Sequence, residues 1–222
     1  TFKSVYIALI LLFLYAPIAV MIALSFNASK SRAVWGGFSL TWYAQLFDSL
    51  EIMQALQVTL TVAVLATLVA TVIGSLGAIG IHAMKTGRAN ALINLSYLSM
   101  TTPDIATGVS LMLMFVFMKI PLGWGTMLMA HIAFDTPYVL FSVLPKLRQM
   151  NPSTYEAALD LGCKPGKALR KVILPQIMPG IVAGALLSFT MSLDDFVISY
   201  FTSNTDQNLS MIVYSAARRG IE

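Results

Sequence analysis

The most constraining feature of this sequence is a series of apolar runs, each long enough to cross a lipid bilayer as a helix. About 20 consecutive apolar residues span the roughly 30 Å of hydrocarbon in a bilayer. Five segments meet this requirement, at residues 5–26, 58–81, 91–118, 124–144 and 179–201. The sequence therefore predicts an all-α, polytopic transmembrane helical bundle with five visible spans.

Composition favours a membrane protein over a soluble one. Asp, Glu, Lys and Arg make up 11% of the 222 residues, whereas a soluble domain carries about 25%. Most of the surface must therefore face lipid. The formal net charge of +4 is explained by basic residues on the inner side of a membrane. Cys163 is the one cysteine in the sequence, so the chain cannot form an internal disulfide.

The distribution of Lys and Arg predicts the orientation. With the N-terminus in the cytoplasm, cytoplasmic segments carry nine basic residues and outer segments carry five, in line with the positive-inside rule. The nine are Lys3, Lys85, Arg88, Lys146, Arg148, Lys164, Lys167, Arg170 and Lys171, and the five are Lys30, Arg32, Lys119, Arg218 and Arg219. The first span is expected to be retained, because no small-residue cleavage site follows it. Because Glu222 then lies on the outer side, we expect a final span to follow it.

The cytoplasmic loop 151–175 reads NPSTYEAALDLGCKPGKALRKVILP and has the signals of helical structure. Asn151 is a favourable N-cap with a proline after it, and Gly162 suits a left-handed helix stop. We expect a short helix between these two residues. A second short helix is expected to begin at Pro165 and to end at Pro175.

The residues of this loop argue against two other interpretations of it. A phosphate-binding P-loop needs four residues between its glycines and Ser or Thr after its Lys. Here three residues separate Gly162 from Gly166, and Ala168 follows Lys167. The two short helices expected in this loop resemble a helix-turn-helix motif, which could suggest DNA binding. The positive-inside rule already explains the positive charge of the loop. We therefore expect neither nucleotide nor nucleic-acid binding.

Four acidic residues lie within predicted spans: Asp104, Asp135, Asp194 and Asp195. A charge at membrane depth costs at least about 2.5–3.5 kcal/mol, and no Lys or Arg lies deep enough to pair with them. At 1.5 Å per residue, the first two fall near the membrane centre and Asp194 lies about 22 Å from the inner edge. Unpaired anionic groups along a pathway favour a cationic cargo. A polyamine, with ammonium groups along an alkyl chain, fits that demand.

Structural alternatives stay open for each acidic residue. Asp104 and Asp135 both lie beside a proline and could cap a half-helix, and the Asp194–Asp195 pair could form a solvated outer cap. Because adjacent helical residues point about 100° apart, only one member of that pair is expected to face a lumen.

Three further side chains belong to the prediction. Ser192 is included in the predicted substrate pathway. His131 is interpreted as a donor between helices rather than a proton relay. Trp42 fits an interfacial aromatic belt, with contact to cargo or to a binding protein as the alternative.

One motif in the cytoplasmic loop resembles the EAA loop of ABC-importer permeases. That pattern is Glu-Ala-Ala, three residues, Gly, nine residues, Ile, one residue and Leu-Pro. The matching residues are Glu156, Ala157, Ala158, Gly162, Leu174 and Pro175. Val172 stands where the pattern has Ile, a mild departure. The resemblance implies that this helix docks in a groove of a nucleotide-binding subunit.

The resemblance covers nearly the whole chain and extends to the spermidine/putrescine permeases of the PotC type. The segments that carry it are 13–17 (FLYAP), 25–27 (SFN), 41–43 (TWY), 103–105 (PDI) and 188–196 (SFTMSLDDF). It implies the ABC importer type I permease fold, with residues 1–222 as one permease domain. The loop 151–175 is then its coupling loop.

The same resemblance implies the setting of the chain. It would be a multi-pass protein of the bacterial inner membrane that catalyses no reaction and holds no cofactor or metal. ATP and Mg²⁺ would bind to a partner ATPase present in two copies. A homologous second permease and an extracytoplasmic polyamine-binding protein would complete the importer.

Two alternatives stay open. An ABC permease for another solute, such as phosphonate or ferric ion, would share the EAA loop, although the carboxylates disfavour an anion. An ion-coupled secondary transporter could also use intramembrane Asp residues, but it has no need of an EAA loop.

Overall fold

The computed structural model describes residues 2–30 and 33–219. Arg32 and Glu222, which entered the predicted topology, lie outside this range. The chain divides into two compact units, Thr1–Gln54 with Arg219–Glu222, and Ala55–Arg218. Each unit is described by itself, and the single permease domain stays a prediction.

Helices dominate the described residues. The first unit contains α1 (Phe2–Ser25) and α2 (Thr41–Asp48), and α3 (Leu50–Ala83) begins within it. The other elements are α4 (Thr86–Thr101), α5 (Asp104–Phe117), α6 (Trp124–Gln149), α7 (Pro152–Asp160), α8 (Pro165–Ala168), a π-helical turn (Leu169–Ile173), α9 (Leu174–Asp194), α10 (Val197–Thr202) and α11 (Leu209–Arg219). Within residues 2–30 and 33–219, four helices are long and apolar enough to span a membrane, or five if the bent pair α4–α5 is one span. The predicted all-α bundle is confirmed.

The loop of the first unit is organised by a buried asparagine. Asn27 Nδ2 donates to the Val34 carbonyl at 2.8 Å, and Asn27 Oδ1 accepts from the Gly36 amide at 2.7 Å. The carbonyl of Asn27 accepts a hydrogen bond of 2.7 Å from Nε1 of Trp42. The single donor of the indole is therefore engaged in holding this loop.

The third predicted span is broken, which corrects the expectation of one continuous helix over 91–118. The axes of α4 and α5 differ by 106°, and Thr102 has an extended backbone, with φ −71° and ψ 134°. The cause is Pro103, because a proline disfavours the helical conformation of the residue before it. The mid-membrane depth predicted for Asp104 was calculated along a straight helix. Asp104 instead begins α5, so that calculation does not apply to it.

The fifth predicted span is also displaced. Helical structure runs continuously from Pro165 to Asp194, through a π-helical turn, and passes Pro175 without a break. The predicted stop at Pro175 is wrong, because the helical run continues through the π-helical turn Leu169–Ile173 directly before Pro175, where the hydrogen-bond ladder is already altered. At the other end, the predicted helix to residue 201 is interrupted after Asp194.

Close packing of α6 against α9 forms the centre of the second unit. A Cβ on Gly180 would lie 2.8 Å from the Ser142 carbonyl, and one on Gly184 would lie 3.0 Å from Cα of Val139. The two helices are antiparallel in this register, which continues to Ser192 against His131. Small residues at this spacing let helix backbones approach closely in a membrane. Gly74 of α3 packs against the same Val139 from another side.

Candidate functional site

The candidate coupling loop folds as a capped helical knob. Asn151 Oδ1 accepts from the Ser153 amide at 3.1 Å at the start of α7. At its end, Gly162 has φ +80°, and the amides of Gly162 and Cys163 donate to the carbonyls of Leu159 and Ala158 at 2.8 and 3.1 Å. This pair of bonds is the Schellman motif. The predicted cap, helix and glycine stop are confirmed.

The coupling residues do not form one continuous surface. Glu156 and Ala157 are exposed on α7 and Ala158 is half-buried, whereas Leu174 packs on the apolar core between α3, α6 and α9. Leu161, at the end of the knob, is 89% exposed.

The break between α9 and α10 is built around Asp195. This residue has an extended backbone, with φ −64° and ψ 124°. Its carboxylate accepts from the amides of Ile198 and Ser199 at 3.2 and 2.8 Å, and from the Ser199 hydroxyl at 2.9 Å. The carboxylate therefore satisfies the free amides at the start of α10, which agrees with the cap alternative for Asp195, although its side chain is buried and not solvated.

A buried polar network surrounds this cap. Nδ1 of His131 lies 2.6 Å from the Ser192 hydroxyl, and Nε2 lies 2.9 Å from the Ser199 hydroxyl and 3.5 Å from Oδ2 of Asp195. The side chains of His131 and Asp195 are 1% and 7% exposed. Asn208 adds hydrogen bonds from Nδ2 to the Ser199 hydroxyl at 2.8 Å and to the Asp195 carbonyl at 2.9 Å. The network joins α6, α9, α10 and the residue before α11.

Counting donors shows that the network is complete with a neutral imidazole. The Asn208 amide is oriented by its Oδ1, which accepts from the Met211 amide at 2.8 Å, so its Nδ2 donates to Ser199. The Ser199 hydroxyl, which accepts from Asn208, can then also accept from His131 Nε2 and donate to the Asp195 carboxylate. These three bonds use the one donor and the two acceptor positions of the hydroxyl. Ser192 donates to Nδ1 of His131. Buried networks of this kind rigidify a structure only when every member is satisfied.

Asp194 differs from its neighbour. It is the last residue of α9 and is exposed. The last four carbonyls of a helix lack partners within the helix, and the carboxyl end carries the negative end of the helix dipole. A carboxylate there adds to the negative potential instead of compensating it. The end of α9 is therefore arranged to attract a cation.

Asp104 begins the second half of the broken span. It is exposed, and no side-chain capping bond is present at this end of α5. One turn later, Gly108 brings α5 against α10, where an added Cβ would lie 3.0 Å from the Phe201 ring and 3.5 Å from Cα of Ile198. The two helices that follow the two breaks are therefore packed together.

Asp135 is fully buried inside the continuous helix α6. The alternative that it caps a half-helix is wrong, because α6 does not break at Pro137. Among the described residues, the two carboxyl oxygens of Asp135 have no hydrogen-bond partner. The hydroxyl of Ser188 also has none. The α6–α9 register places these two residues opposite each other, one turn from Gly184 and Val139.

Sequence reasoning missed two members of the network, Ser199 and Asn208. Asn208 carried a signal, because an Asn directly before an apolar helix is a favourable N-cap, and it does cap α11. Ser199 had no such signal. The interpretation of His131 as a contact between helices agrees with its observed bonds.

Comparison with known proteins identifies the family. The family described as "Binding-protein-dependent transport system inner membrane component" matches residues 70–217. The chain is 35% identical over 220 residues to the spermidine/putrescine transport system permease protein PotC of Haemophilus influenzae, covering 99% of this chain and 86% of that protein. It is 38% identical over 219 residues to the putrescine transport system permease protein PotI of Escherichia coli K12, covering 94% of this chain and 77% of that protein.

The fold matches a solved transporter. A chain of a bacterial ABC transporter involved in the import of the acidic polysaccharide alginate aligns with a TM-score of 0.74 at 18% identity, covering 97% of this chain and 82% of that chain. At this identity the likeness concerns the fold alone. Together, the full-length relatives and the matched helical fold show that the chain belongs to the binding-protein-dependent inner-membrane components of ABC importers and is a multi-pass membrane permease subunit.

Proposed function

We propose that this permease imports polyamines as one subunit of an ATP-driven complex. A homologous second permease, two copies of an ATPase and an extracytoplasmic polyamine-binding protein complete the complex. The ATPase binds ATP and Mg²⁺, and this chain holds no cofactor. The names of its relatives support spermidine and putrescine as the substrate class.

The observation that carries the proposal is the exposed Asp194 at the carboxyl end of α9. The helix dipole and a carboxylate there both favour a cation, and of the last carbonyls of α9 that of Leu193 accepts from the Ser210 hydroxyl at 3.3 Å. Unwound backbone and helix carboxyl ends within membranes are suited to coordinating cations. An ammonium group donates up to three hydrogen bonds and can contact the carboxylate and a carbonyl together. We assign Asp194 and the exposed Asp104 to cargo contact.

The other predicted pathway residues have different proposed roles. Asp195 and Ser192 hold the break between α9 and α10, and Trp42 holds the loop of the first unit. Asp135 has no exposed surface, so it contacts cargo only if α6 and α9 separate during the cycle.

The capped helix α7 is the proposed contact with the ATPase. Its backbone is closed at both ends, so it can transmit force as a rigid body. The exposed Leu161 and the small side chains at 157 and 158 suit insertion into a groove of another subunit.

The predicted orientation of the chain in the membrane gives a first prediction. Cys163 follows the stop of α7 and is half-buried, and the predicted topology places it in the cytoplasm. A membrane-impermeant maleimide should label it in inverted vesicles and not in intact cells. A Cys163→Ser variant controls for labelling of other proteins. Labelling from the outside alone would reverse the proposed orientation.

The cargo contact gives a second prediction. In cells that lack other polyamine importers and express the complete complex, Asp194→Asn should lower the initial rate of spermidine uptake about ten-fold, the scale of one lost hydrogen bond to a charged group. Membrane levels of the complex should stay normal, because Asp194 is exposed.

Two variants sharpen this test. Asp48 is also an exposed acid at the end of a helix, α2, and Asp48→Asn should transport at the wild-type rate. Asp195→Asn should reduce the amount of assembled complex, because both carboxylate oxygens accept hydrogen bonds at the start of α10 and an amide offers only one oxygen acceptor. Normal uptake by both Asp194→Asn and Asp104→Asn would remove the structural support for a cationic cargo.

A further inference from the structure

The break between α9 and α10 has only a local cap to mark it in the sequence. Residues 193–199 read LDDFVIS, without Gly or Pro, and the Asp195 carboxylate accepts from the amides of Ile198 and Ser199 at the start of α10. The α4–α5 break, in contrast, is explained by Pro103. A single Asp cap contributes only modestly to stability, and the apolar pattern predicts a helix to residue 201. Contacts from other elements add to this cap.

Those contacts converge on one histidine. His131 lies on α6, whereas its partners Ser192 and Ser199 lie on α9 and α10, on either side of the break. Through Ser199 it also reaches Asp195, whose carboxylate satisfies the first free amides of α10. Removing the imidazole leaves Ser192 and Ser199 without a partner on α6. The extended conformation of Asp195 then keeps its bonds to Asn208 and to the amides of α10 but loses the link to α6.

The break determines what Asp194 can offer. In a continuous helix, the Asp194 carbonyl would accept from the Ile198 amide, and the residues around it would have no free carbonyls. In the observed structure, the Ile198 amide donates to the Asp195 carboxylate instead. The Asp194 carbonyl therefore loses its helical partner beside the exposed carboxylate, whereas the neighbouring Leu193 carbonyl accepts from the Ser210 hydroxyl at 3.3 Å.

We infer that His131 is a positioning residue for cargo transfer, which holds the α9–α10 break through Ser199 and Asp195 and thereby keeps Asp194 at an open helix end. The inference rests on the proposed function, because Asp194 is its assigned cargo contact. His131 itself is 1% exposed and does not touch cargo. Its effect reaches transport only through Asp194.

A double-mutant cycle tests this dependence. The complete importer complex is reconstituted in proteoliposomes with its binding protein, and spermidine transported per ATP hydrolysed is measured for each assembled complex. Asp194→Asn and His131→Leu should each lower this ratio about ten-fold, as for one lost bond to a charged group. The variant with both changes should be no lower than Asp194→Asn alone.

Two further variants control the experiment. His82 is the other histidine in the sequence and is exposed at the end of α3, and His82→Leu should keep the wild-type ratio. Ser199→Ala removes the link between His131 and Asp195 while sparing the packing of the imidazole. It should reproduce the loss and the non-additivity even if His131→Leu fails to assemble.

The outcomes separate the two proposals. A wild-type ratio in His131→Leu and Ser199→Ala, with a low ratio in Asp194→Asn, would overturn the positioning role and leave the proposed function intact. Additive losses in the double variant would also overturn it, because His131 would then act independently of Asp194. A wild-type ratio in Asp194→Asn would remove the assigned cargo contact and the inference with it.

Discussion

Replacing Gly180 with valine is expected to remove most of the assembled complex from the membrane. An added Cβ would lie 2.8 Å from the Ser142 carbonyl oxygen and 3.3 Å from Cα of Val143. Both are backbone atoms of α6 and cannot rotate away, so α6 and α9 must separate. Overpacking a dense interior costs about 1–3 kcal/mol. We place this change at the upper end, because the contact is with backbone.

The amount of complex and its thermal midpoint check this expectation. Gly80 provides a matched control, because it lies inside α3 and a Cβ there would meet no atom within 4 Å. Gly80→Val should give a complex with nearly wild-type yield and midpoint. Equal yields of complex for the two variants would contradict the close packing of α6 against α9.

Changing Gly162 to aspartate is expected to uncouple transport from ATP hydrolysis while leaving the protein inserted. Gly162 has φ +80°, a region that costs other residues roughly 1–2 kcal/mol. The change also places a charge at the end of the α7 knob, beside the exposed Leu161. A knob that no longer fits its groove cannot transmit the closure of the ATPase to the helices.

The measurement is ATPase activity of the reconstituted complex with binding protein and spermidine. Gly162→Asp should lose the stimulation seen in the wild type, and Ala158→Trp should do the same by adding bulk to the docking face. Gly166→Asp is the control, because Gly166 lies in the same loop and a Cβ there would meet no atom within 4 Å. Wild-type stimulation in Gly162→Asp would contradict coupling through α7.

Features encoded locally could be predicted from the sequence. Asn151 and Gly162 define the ends of α7 because a cap and a positive φ each demand particular residues at single positions. The span lengths follow from apolar runs in the same way.

Features held by tertiary contacts could not be predicted. The break at Asp195 has neither Gly nor Pro to mark it, and besides the local cap it is held by His131 and Asn208 from distant parts of the chain. For the same reason, the sequence could not distinguish the two adjacent carboxylates. Asp195 is satisfied by amides and a hydroxyl, whereas Asp194 remains exposed. The break before Asp104 was among the alternatives left open by the sequence, because Pro103 disfavours the helical conformation of Thr102 and Asp104 begins a half-helix.

The most direct test of the central claim is accumulation of labelled spermidine in proteoliposomes that contain the complete complex. Internal spermidine should rise above the external concentration only when ATP is supplied to the ATPase and the binding protein is present outside. Putrescine should compete, and an acidic solute such as glutamate should not. Accumulation without ATP, driven by an ion gradient, would contradict the account, as would ATP-driven transport that excludes polyamines.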